Sequence, residues 1–120
     1  MTGVQTCALP IFDGTNLEIK EIEQPIVLAS QVLIKVKVVG VCGTDRAIIS
    51  GALPVSNLPL IPGHEIVGVV QEIGPNVDPK WKGKRVACEI NSHIDHNCYF
   101  CKSNNFTQCI SRKEIGRAHV

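Results

Sequence analysis

The chain has 120 residues and a formal net charge of +1 at pH 7, so it allows one domain with a core but no second large sheet domain. The near-neutral charge argues against a nucleic-acid partner, and no apolar run reaches the length of a membrane span. Among six cysteines, Cys98, Cys101 and Cys109 follow a Cys-x2-Cys-x7-Cys spacing that is typical of metal ligands. We therefore expect a reducing, cytoplasmic setting.

The two ends of the chain differ in character from its centre. "TGVQTCALPI" near the start and "EIGRAHV" at the end resemble translated sequencing adapters. We therefore expect residues 1–11 to be a non-native leader and residues 114–120 a non-native tail, in which Cys7 and His119 carry no chemistry. The natural sequence is then 12–113, and we expect it to continue beyond Lys113 in the parent protein. The alternative is that both ends are natural irregular termini.

The first half of the centre predicts two strands. "LEIKEIE" alternates imperfectly over residues 17–23. In "QVLIKVKVVGV", Ile34, Val36 and Val38 share one face and lysines occupy the other, which is the pattern of a half-buried strand. We expect Gly40 to break or bulge this strand just before Cys42.

The next segments alternate between a short helix, a loop and two strands. "TDRAIISG" predicts one or two helical turns, with Thr44 or Asp45 as the N-cap and Gly51 at the end. The proline-rich "ALPVSNLPLIPG" predicts a loop. "HEIVGVVQEIG" predicts a strand in which Gly68 permits a close backbone approach, and "GKRVACEI" predicts another strand with Cys88 packed.

Short strands joined by Gly/Pro turns favour a mainly β fold, either a partly closed β-barrel or a sandwich, with little helix. An α/β fold is disfavoured because no long amphipathic helix alternates with the strands. Residues 91–109 are polar and irregular, as expected of a lobe that a metal ion holds together.

One candidate metal site combines Cys42, His64 and Glu65. A catalytic zinc site needs three protein ligands and an open position, and thiolate, imidazole and carboxylate are all suitable. Cys42 follows one predicted strand and His64 precedes the next, so the loop between them can bring the strand ends together. Glu65 would point to the opposite face of a regular strand. It can be a ligand only if the backbone bends at Gly63–His64, and otherwise it lies beside the site.

The motifs around these residues resemble a known family. "CGTD", "GHEIVGVVQEIGPNV" and "KGKRV" occur in the order found in the zinc-containing alcohol and polyol dehydrogenases of the medium-chain dehydrogenase/reductase superfamily. The resemblance covers residues 12–113. It implies the incomplete N-terminal catalytic domain of such an enzyme, a GroES-like, partly closed β-barrel with short helices and a cysteine-rich zinc lobe.

The resemblance also implies roles for the first site. Cys42 and His64 bind the catalytic zinc, and Glu65 is either a third ligand or a close neighbour. In the latter case a residue beyond this chain is the third ligand. Thr44 takes the proton of the alcohol, and Asp45 orients the histidine. Many members place a histidine of the proton relay where this chain has Ala47, so we expect water or another route there.

A second candidate site combines Asp95, Cys98, Cys101 and Cys109. Closed, four-coordinate sites are typical of structural zinc. The family lobe has four cysteines, and this chain keeps the last three with Asp95 at the first position. The fourth ligand is either Asp95 or a histidine, His93 or His96, because imidazole also suits zinc. A lobe without metal is the plain alternative.

Together the resemblance implies a zinc-dependent parent enzyme that oxidises an alcohol or polyol to an aldehyde or ketone with NAD or NADP. No G-x-G-x-x-G stands here between a strand and a helix, so we expect a C-terminal Rossmann domain outside this chain, and no turnover by the chain alone. The parent is expected to be a homo-oligomer. One alternative is a free-standing zinc-stabilised β module that catalyses nothing, and another is a zinc-free reductase of the same superfamily, which the cysteines argue against.

Overall fold

The computed structural model describes residues 6–114, with no account of the side chains of Ser92 and Glu114. Strands dominate, as expected, and the helices are short. No helix in this range is long and apolar enough to cross a membrane. The elements in chain order are β1 (Thr6–Phe12), β2 (Leu17–Glu23), β3 (Val32–Gly40), α1 (Gly43–Ile49), β4 (Glu65–Ile73), a 3-10 turn (Pro79–Trp81), β5 (Arg85–Ala87), β6 (Asn91–His93), α2 (Tyr99–Lys102), a second 3-10 turn (Phe106–Gln108) and β7 (Lys113–Glu114).

The strands form three antiparallel sheets, with orders β1-β2, β3-β4-β5 and β6-β7. The central sheet positions the first candidate site, because β3 ends and β4 begins there, with Gly40 opposite Glu65. Gly68 on β4 lies against β3 so closely that a Cβ would come within 2.6 Å of the Lys35 carbonyl oxygen. The close backbone approach expected at Gly68 is therefore confirmed.

Strand β3 is irregular, but not where its glycine indicated. The register passes from Val36 opposite Gly68 to Val38 opposite Val67, which leaves Lys37 as the extra residue of a bulge. Of the break or bulge expected at Gly40, the break is confirmed, because Gly40 is the last residue of β3, and the bulge lies at Lys37 instead. The expectation that Val36 and Val38 lie on a half-buried face is also wrong, since their side chains are 43% and 62% exposed.

The buried apolar cluster joins β1, α1 and the proline-rich loop. Phe12, Ile48 and Leu60 are each at most 4% exposed, and Val55 packs against them. Phe12 and Leu60 also exchange backbone hydrogen bonds of 2.8 and 2.9 Å. This cluster packs α1 against β1 and the proline-rich loop.

Part of the expected leader takes part in the β1-β2 hairpin, because Thr6 to Ile11 pair with β2. Strand pairing does not distinguish native from non-native sequence, so the boundaries at 11, 113 and 114 stay predictions. Residues 1–5 and 115–120, including His119, lie outside the described residues. The predicted strand at 17–23 is confirmed as β2.

Helix α1 begins at Gly43, two residues earlier than an N-cap at Thr44 would give. Its N-cap is Cys42, and neither Thr44 nor Asp45 holds that position, so that expectation is wrong. Asp45 is the third residue of the helix, and its side chain reaches back to the Cys42 N–H at 3.0 Å, as the acid of a capping box does. Gly51 follows the helix with φ +78°, the left-handed conformation that glycine favours after a helix. The predicted strand from "GKRVACEI" is confirmed only over β5.

Candidate metal centres

The structure brings Cys42, His64 and Glu65 together. The Cys42 Sγ lies 3.4 Å from His64 Nε2, although the two residues are 22 positions apart. One ligand atom from each of the three residues lies within 4.8 Å of the others. Cys42 and His64 are half-buried and Glu65 is exposed. A thiol, an imidazole and a carboxylate that converge in this way can share one divalent ion.

The carboxylate of Asp45 connects the two segments that carry Cys42 and His64. It is 4% exposed, and it accepts hydrogen bonds from the backbone N–H groups of Cys42 at 3.0 Å and Gly63 at 2.9 Å. The closest approach of its oxygen to His64 Nδ1 is 3.8 Å, which is too long for a direct hydrogen bond. Asp45 therefore holds the backbone on both sides of the site, in addition to facing the histidine ring.

Opposing effects set the protonation of Asp45. Burial raises the pKa of this carboxyl, but the hydrogen bonds from the Cys42 and Gly63 N–H groups, together with the nearby His64, outweigh it. The pKa of Asp45 is therefore held below its ordinary value. Asp45 is an anion at neutral pH, suited to orient an imidazole whose other nitrogen faces a metal ion.

The backbone bends just before His64, which the ligation of Glu65 requires. Gly63 has φ +95°, a conformation that L side chains rarely adopt, and a Cβ there would overlap Val39. After this bend, Glu65 opens β4 with its carboxylate in reach of Cys42 and His64. A regular strand from Gly63 onward would have placed Glu65 on the opposite face.

An open-sided pocket of about 430 Å³ adjoins the first centre, within the size range of small-molecule sites. Thr44 is half-buried in the first turn of α1 and is not among the described residues that line this pocket. Ala47 is half-buried on the same helix. The pocket lining consists of His64, Glu65, Ile66, Val67, Ala87, Cys88, Glu89, Ile90, Asn91 and Thr107.

Two residues of this pocket were not recognised in the sequence. The strand pattern predicts Cys88 only as a packed residue. Its side chain is half-buried, and burial raises the pKa of its thiol. Asn91 has a buried amide oxygen that accepts no hydrogen bond from the described residues. No sequence motif marks either position, because both residues join His64 and Glu65 in the pocket lining only after the chain has folded.

The second centre gathers Asp95, Cys98, Cys101 and Cys109. One ligand atom from each lies within 4.8 Å of the others. Cys101 and Cys109 are buried, at 5% and 6% exposed, while Cys98 and Asp95 are half-buried. All six cysteines of the chain, which all lie among the described residues, are free thiols. The lobe thus encloses three sulfur atoms and one carboxylate in the manner of a closed zinc site.

Backbone N–H groups surround these ligands. The Asp95 N–H donates to Cys109 Sγ at 3.4 Å, and the Asp95 Oδ1 accepts from the N–H groups of Asn97 at 2.8 Å and Cys98 at 2.9 Å. Those last two bonds hold the pKa of Asp95 well below its usual range. Asp95 therefore shapes the loop through Oδ1, and its carboxylate also interacts with the side chains of Ser111 and Cys101.

The thiols of the lobe differ in how readily they ionise. The N–H of Cys101, followed by that of Ile110, lowers the pKa of Cys98. Burial and the neighbouring thiols raise the pKa of Cys101 to about 12. A divalent ion would reverse the latter effect, since metal binding releases the thiol proton.

Both histidines that were alternatives to Asp95 lie on the exposed side of the lobe. His96 has φ +56° and packs edge-on against Phe106, with ring centroids 6.4 Å apart. Among the residues that the structure describes, neither His93 nor His96 has a ring nitrogen that converges with the ligand atoms of Asp95 and the three cysteines. The geometry favours Asp95 as the fourth ligand.

Sequence relatives give the family context. Residues 28–118 match the family model of the alcohol dehydrogenase GroES-like domain. An alcohol dehydrogenase of Geobacillus stearothermophilus is 40% identical over 101 residues, covering 83% of this chain and 30% of that protein. D-arabinitol dehydrogenase 1 of Uromyces fabae is 36% identical over 112 residues, covering 93% and 32%. The chain thus spans about a third of these relatives.

Solved structures agree with the sequence relatives. An Escherichia coli alcohol dehydrogenase in complex with NADH has a TM-score of 0.82 and 30% identity, covering 95% of this chain and 33% of its own. A cobalt- and zinc-bound thermostable alcohol dehydrogenase from Pyrobaculum aerophilum has a TM-score of 0.81 and 29% identity, covering 95% and 36%. The fold is therefore GroES-like, and the chain belongs to the family of alcohol dehydrogenase GroES-like domains.

Proposed function

We propose that this chain is the metal-holding N-terminal part of a zinc-dependent oxidoreductase that oxidises an alcohol or polyol with NAD or NADP. The convergence of Cys42, His64 and Glu65 beside a pocket of small-molecule size carries the proposal. Relatives that match the same region are named alcohol and D-arabinitol dehydrogenases, which supports this substrate class. The nicotinamide site and any oligomer contacts are assigned to the remaining two thirds of such a protein.

The donor set of the first centre fits a zinc ion that retains an open position. One thiolate, one neutral imidazole and one carboxylate give three ligands, and the adjoining pocket gives access for a small molecule. When bound there, zinc supplies Lewis acidity toward the oxygen of the alcohol. Asp45 holds Cys42 and Gly63 through their N–H groups and orients His64.

The hydroxyl of Thr44 is proposed to accept the alcohol proton and pass it toward solvent. Thr44 follows Cys42 by two residues in the first turn of α1, which keeps it near the site. Since Ala47 has no titratable side chain, the proton leaves through water rather than through a histidine at that position. Glu65 is proposed as the third ligand in preference to a residue beyond this chain.

The second centre is proposed to hold a structural zinc ion through Asp95, Cys98, Cys101 and Cys109. Three soft thiolates and one carboxylate oxygen suit zinc, and their burial matches a site without an open position. We further propose a reducing, cytoplasmic location, because disulfide formation in an oxidising compartment would compete with metal binding for these thiols.

The zinc content of the purified 120-residue chain tests the metal centres directly. Two ions per chain are expected from the two clusters, and the chain alone is expected to oxidise no alcohol. A free-standing binding module would share the metal content, so catalysis needs a second test. Residues 12–113 can replace the corresponding segment of the Geobacillus stearothermophilus alcohol dehydrogenase.

That chimera is expected to oxidise alcohols with a nicotinamide cofactor, and its Cys42→Ser variant to lose this activity. A folded, zinc-loaded chimera with no activity above the Cys42→Ser variant would contradict the catalytic proposal and favour the binding module. Absence of bound zinc from the folded 120-residue chain would contradict both centres.

A further inference from the structure

We infer that Gly40 is a positioning residue for the metal ligand Glu65. The missing side chain at Gly40 gives the Glu65 carboxylate the space to turn toward Cys42 and His64. This inference rests on the proposed function, because it concerns how the chain completes the first metal centre.

The contact between the two strand ends is unusually close. Gly40 and Glu65 are directly opposed in the antiparallel β3-β4 pair. A Cβ built on Gly40 would lie 2.9 Å from the Glu65 Cβ and 3.3 Å from its Cδ, and it would overlap Oε2. Opposed Cβ atoms in antiparallel sheets are normally about 4.5–5.5 Å apart. Glu65 therefore occupies the space that a side chain at position 40 would fill.

The direction of this side chain matters because Glu65 is exposed. An exposed glutamate at the start of a strand ordinarily samples many rotamers in water. Here the carboxylate lies over the last residue of β3, two positions before Cys42, and within 4.8 Å of the Cys42 and His64 ligand atoms. A methyl group at position 40 would displace it from that place.

The rest of the centre does not depend on Gly40. Cys42 and Gly63 are held by the Asp45 carboxylate, and His64 follows Gly63 directly. The requirement for glycine at position 63 is different, since the backbone there has a φ of +95°, which L side chains rarely adopt. No such φ occurs at Gly40, so its backbone accepts alanine and only the space of the side chain is at issue. Gly40→Ala is expected to leave two ligands where there were three.

Zinc titration of the 120-residue chain against a competing chelator tests this inference. The binding constant that disappears in Cys42→Ser identifies the first centre. Gly40→Ala is expected to weaken that constant at least about tenfold, and Glu65→Ala to weaken it similarly. In the Glu65→Gly background, which lacks both the carboxylate and the Cβ at 2.9 Å, Gly40→Ala should cause no further loss, because the group on which it acts is absent.

Gly43→Ala is the matched control, since Gly43 lies on the other side of Cys42 and a Cβ there meets nothing within 4 Å. It should bind zinc as the unaltered chain does. Unchanged affinity in folded Gly40→Ala, or an equal loss with and without Glu65, would overturn the inference and leave the proposed function intact. Unchanged zinc content in Cys42→Ser would instead overturn the proposed function.

A folding defect in Gly40→Ala would be resolved by the exchange Gly40→Ala/Glu65→Gly, which removes both overlapping groups. Recovery of the native circular dichroism and of the zinc affinity of Glu65→Ala would support the inference. A chain that remains unfolded would contradict it, because the overlap would then lie elsewhere than at Glu65.

Discussion

The two proposed metal centres of this chain are built in opposite ways. In the first, Cys42 and His64 are 22 residues apart and meet because β4 begins opposite the residue at which β3 ends. In the second, all four ligands fall within residues 95–109, among elements of three or four residues. Strand pairing brings the residues of the first centre together. In the lobe, a bound metal ion is expected to organise the local structure.

The supporting contacts differ accordingly. Two paired nine-residue strands and a buried carboxylate hold the residues of the first centre. In the lobe, Cys101 and Cys109 are the buried side chains, and helices as short as α2 are not stable by themselves. Metal removal is therefore expected to unfold the lobe while the β3-β4 pair stays folded.

The largest expected effect is the response of the lobe to a strong chelator. Structural zinc contributes about 10–16 kcal/mol of apparent binding free energy in small domains. We expect amides of residues 95–109 to lose hydrogen-exchange protection when zinc is removed, while those of β3 and β4 keep theirs. Mass-spectrometric hydrogen exchange measures both regions in one experiment. Equal protection of the lobe with and without zinc would erase the contrast.

Single ligand variants sharpen the contrast next. Cys42→Ser and Cys101→Ser should each halve the zinc content of the chain, but only Cys101→Ser should disorder the lobe, at a cost of several kcal/mol. Metal analysis and hydrogen exchange report the two effects. If Cys42→Ser disordered β3 and β4 to the same degree, the first centre would also depend on its ion for folding.

The third prediction concerns Asp45. Asp45→Asn replaces one acceptor oxygen by an N–H donor that faces a backbone N–H, so a charge-assisted bond is lost inside the protein. We expect the free energy of unfolding to fall by about 2–3 kcal/mol in urea titrations. Asp78→Asn is the control, because its exposed side chain caps a 3-10 turn through the Lys80 N–H and asparagine caps equally well. Equal losses in both variants would refute the bridging role of Asp45.

The smallest effect is expected at Asp95. Asp95→Asn keeps the acceptor oxygen for the N–H groups of Asn97 and Cys98 but removes the anionic ligand. Zinc affinity of the lobe should fall about tenfold, or about 1.4 kcal/mol, with the fold retained. His96→Ala should leave the affinity unchanged. A weaker site in His96→Ala and not in Asp95→Asn would reassign the fourth ligand.

Much of the β-rich fold was predictable because its signals are local. The strand at 17–23, the short helix after Cys42 and the close approach at Gly68 follow from alternation, capping chemistry and glycine. The bulge at Lys37 and the exposure of Val38 were not, since they depend on the register of β3 against β4.

The residues of the candidate sites could be predicted from the sequence, but the contacts that hold those residues in place could not. Motif resemblance indicated Cys42, His64 and the cysteine spacing of the lobe. It gave no hint that Asp45 binds the Gly63 N–H or that Gly40 and Glu65 share one space, because such contacts exist only after the chain is folded. For the same reason Asn91 was missed.

Thr107 connects the cysteine lobe to the pocket that adjoins the first centre. This residue belongs to the short turn that leads into Cys109, and it also forms one wall of the cavity that His64 and Glu65 open into. A change in the lobe therefore alters the shape presented to an incoming molecule without touching a reactive group. Sequence variation in the lobe is in this way a route to a reshaped pocket beside His64 and Glu65.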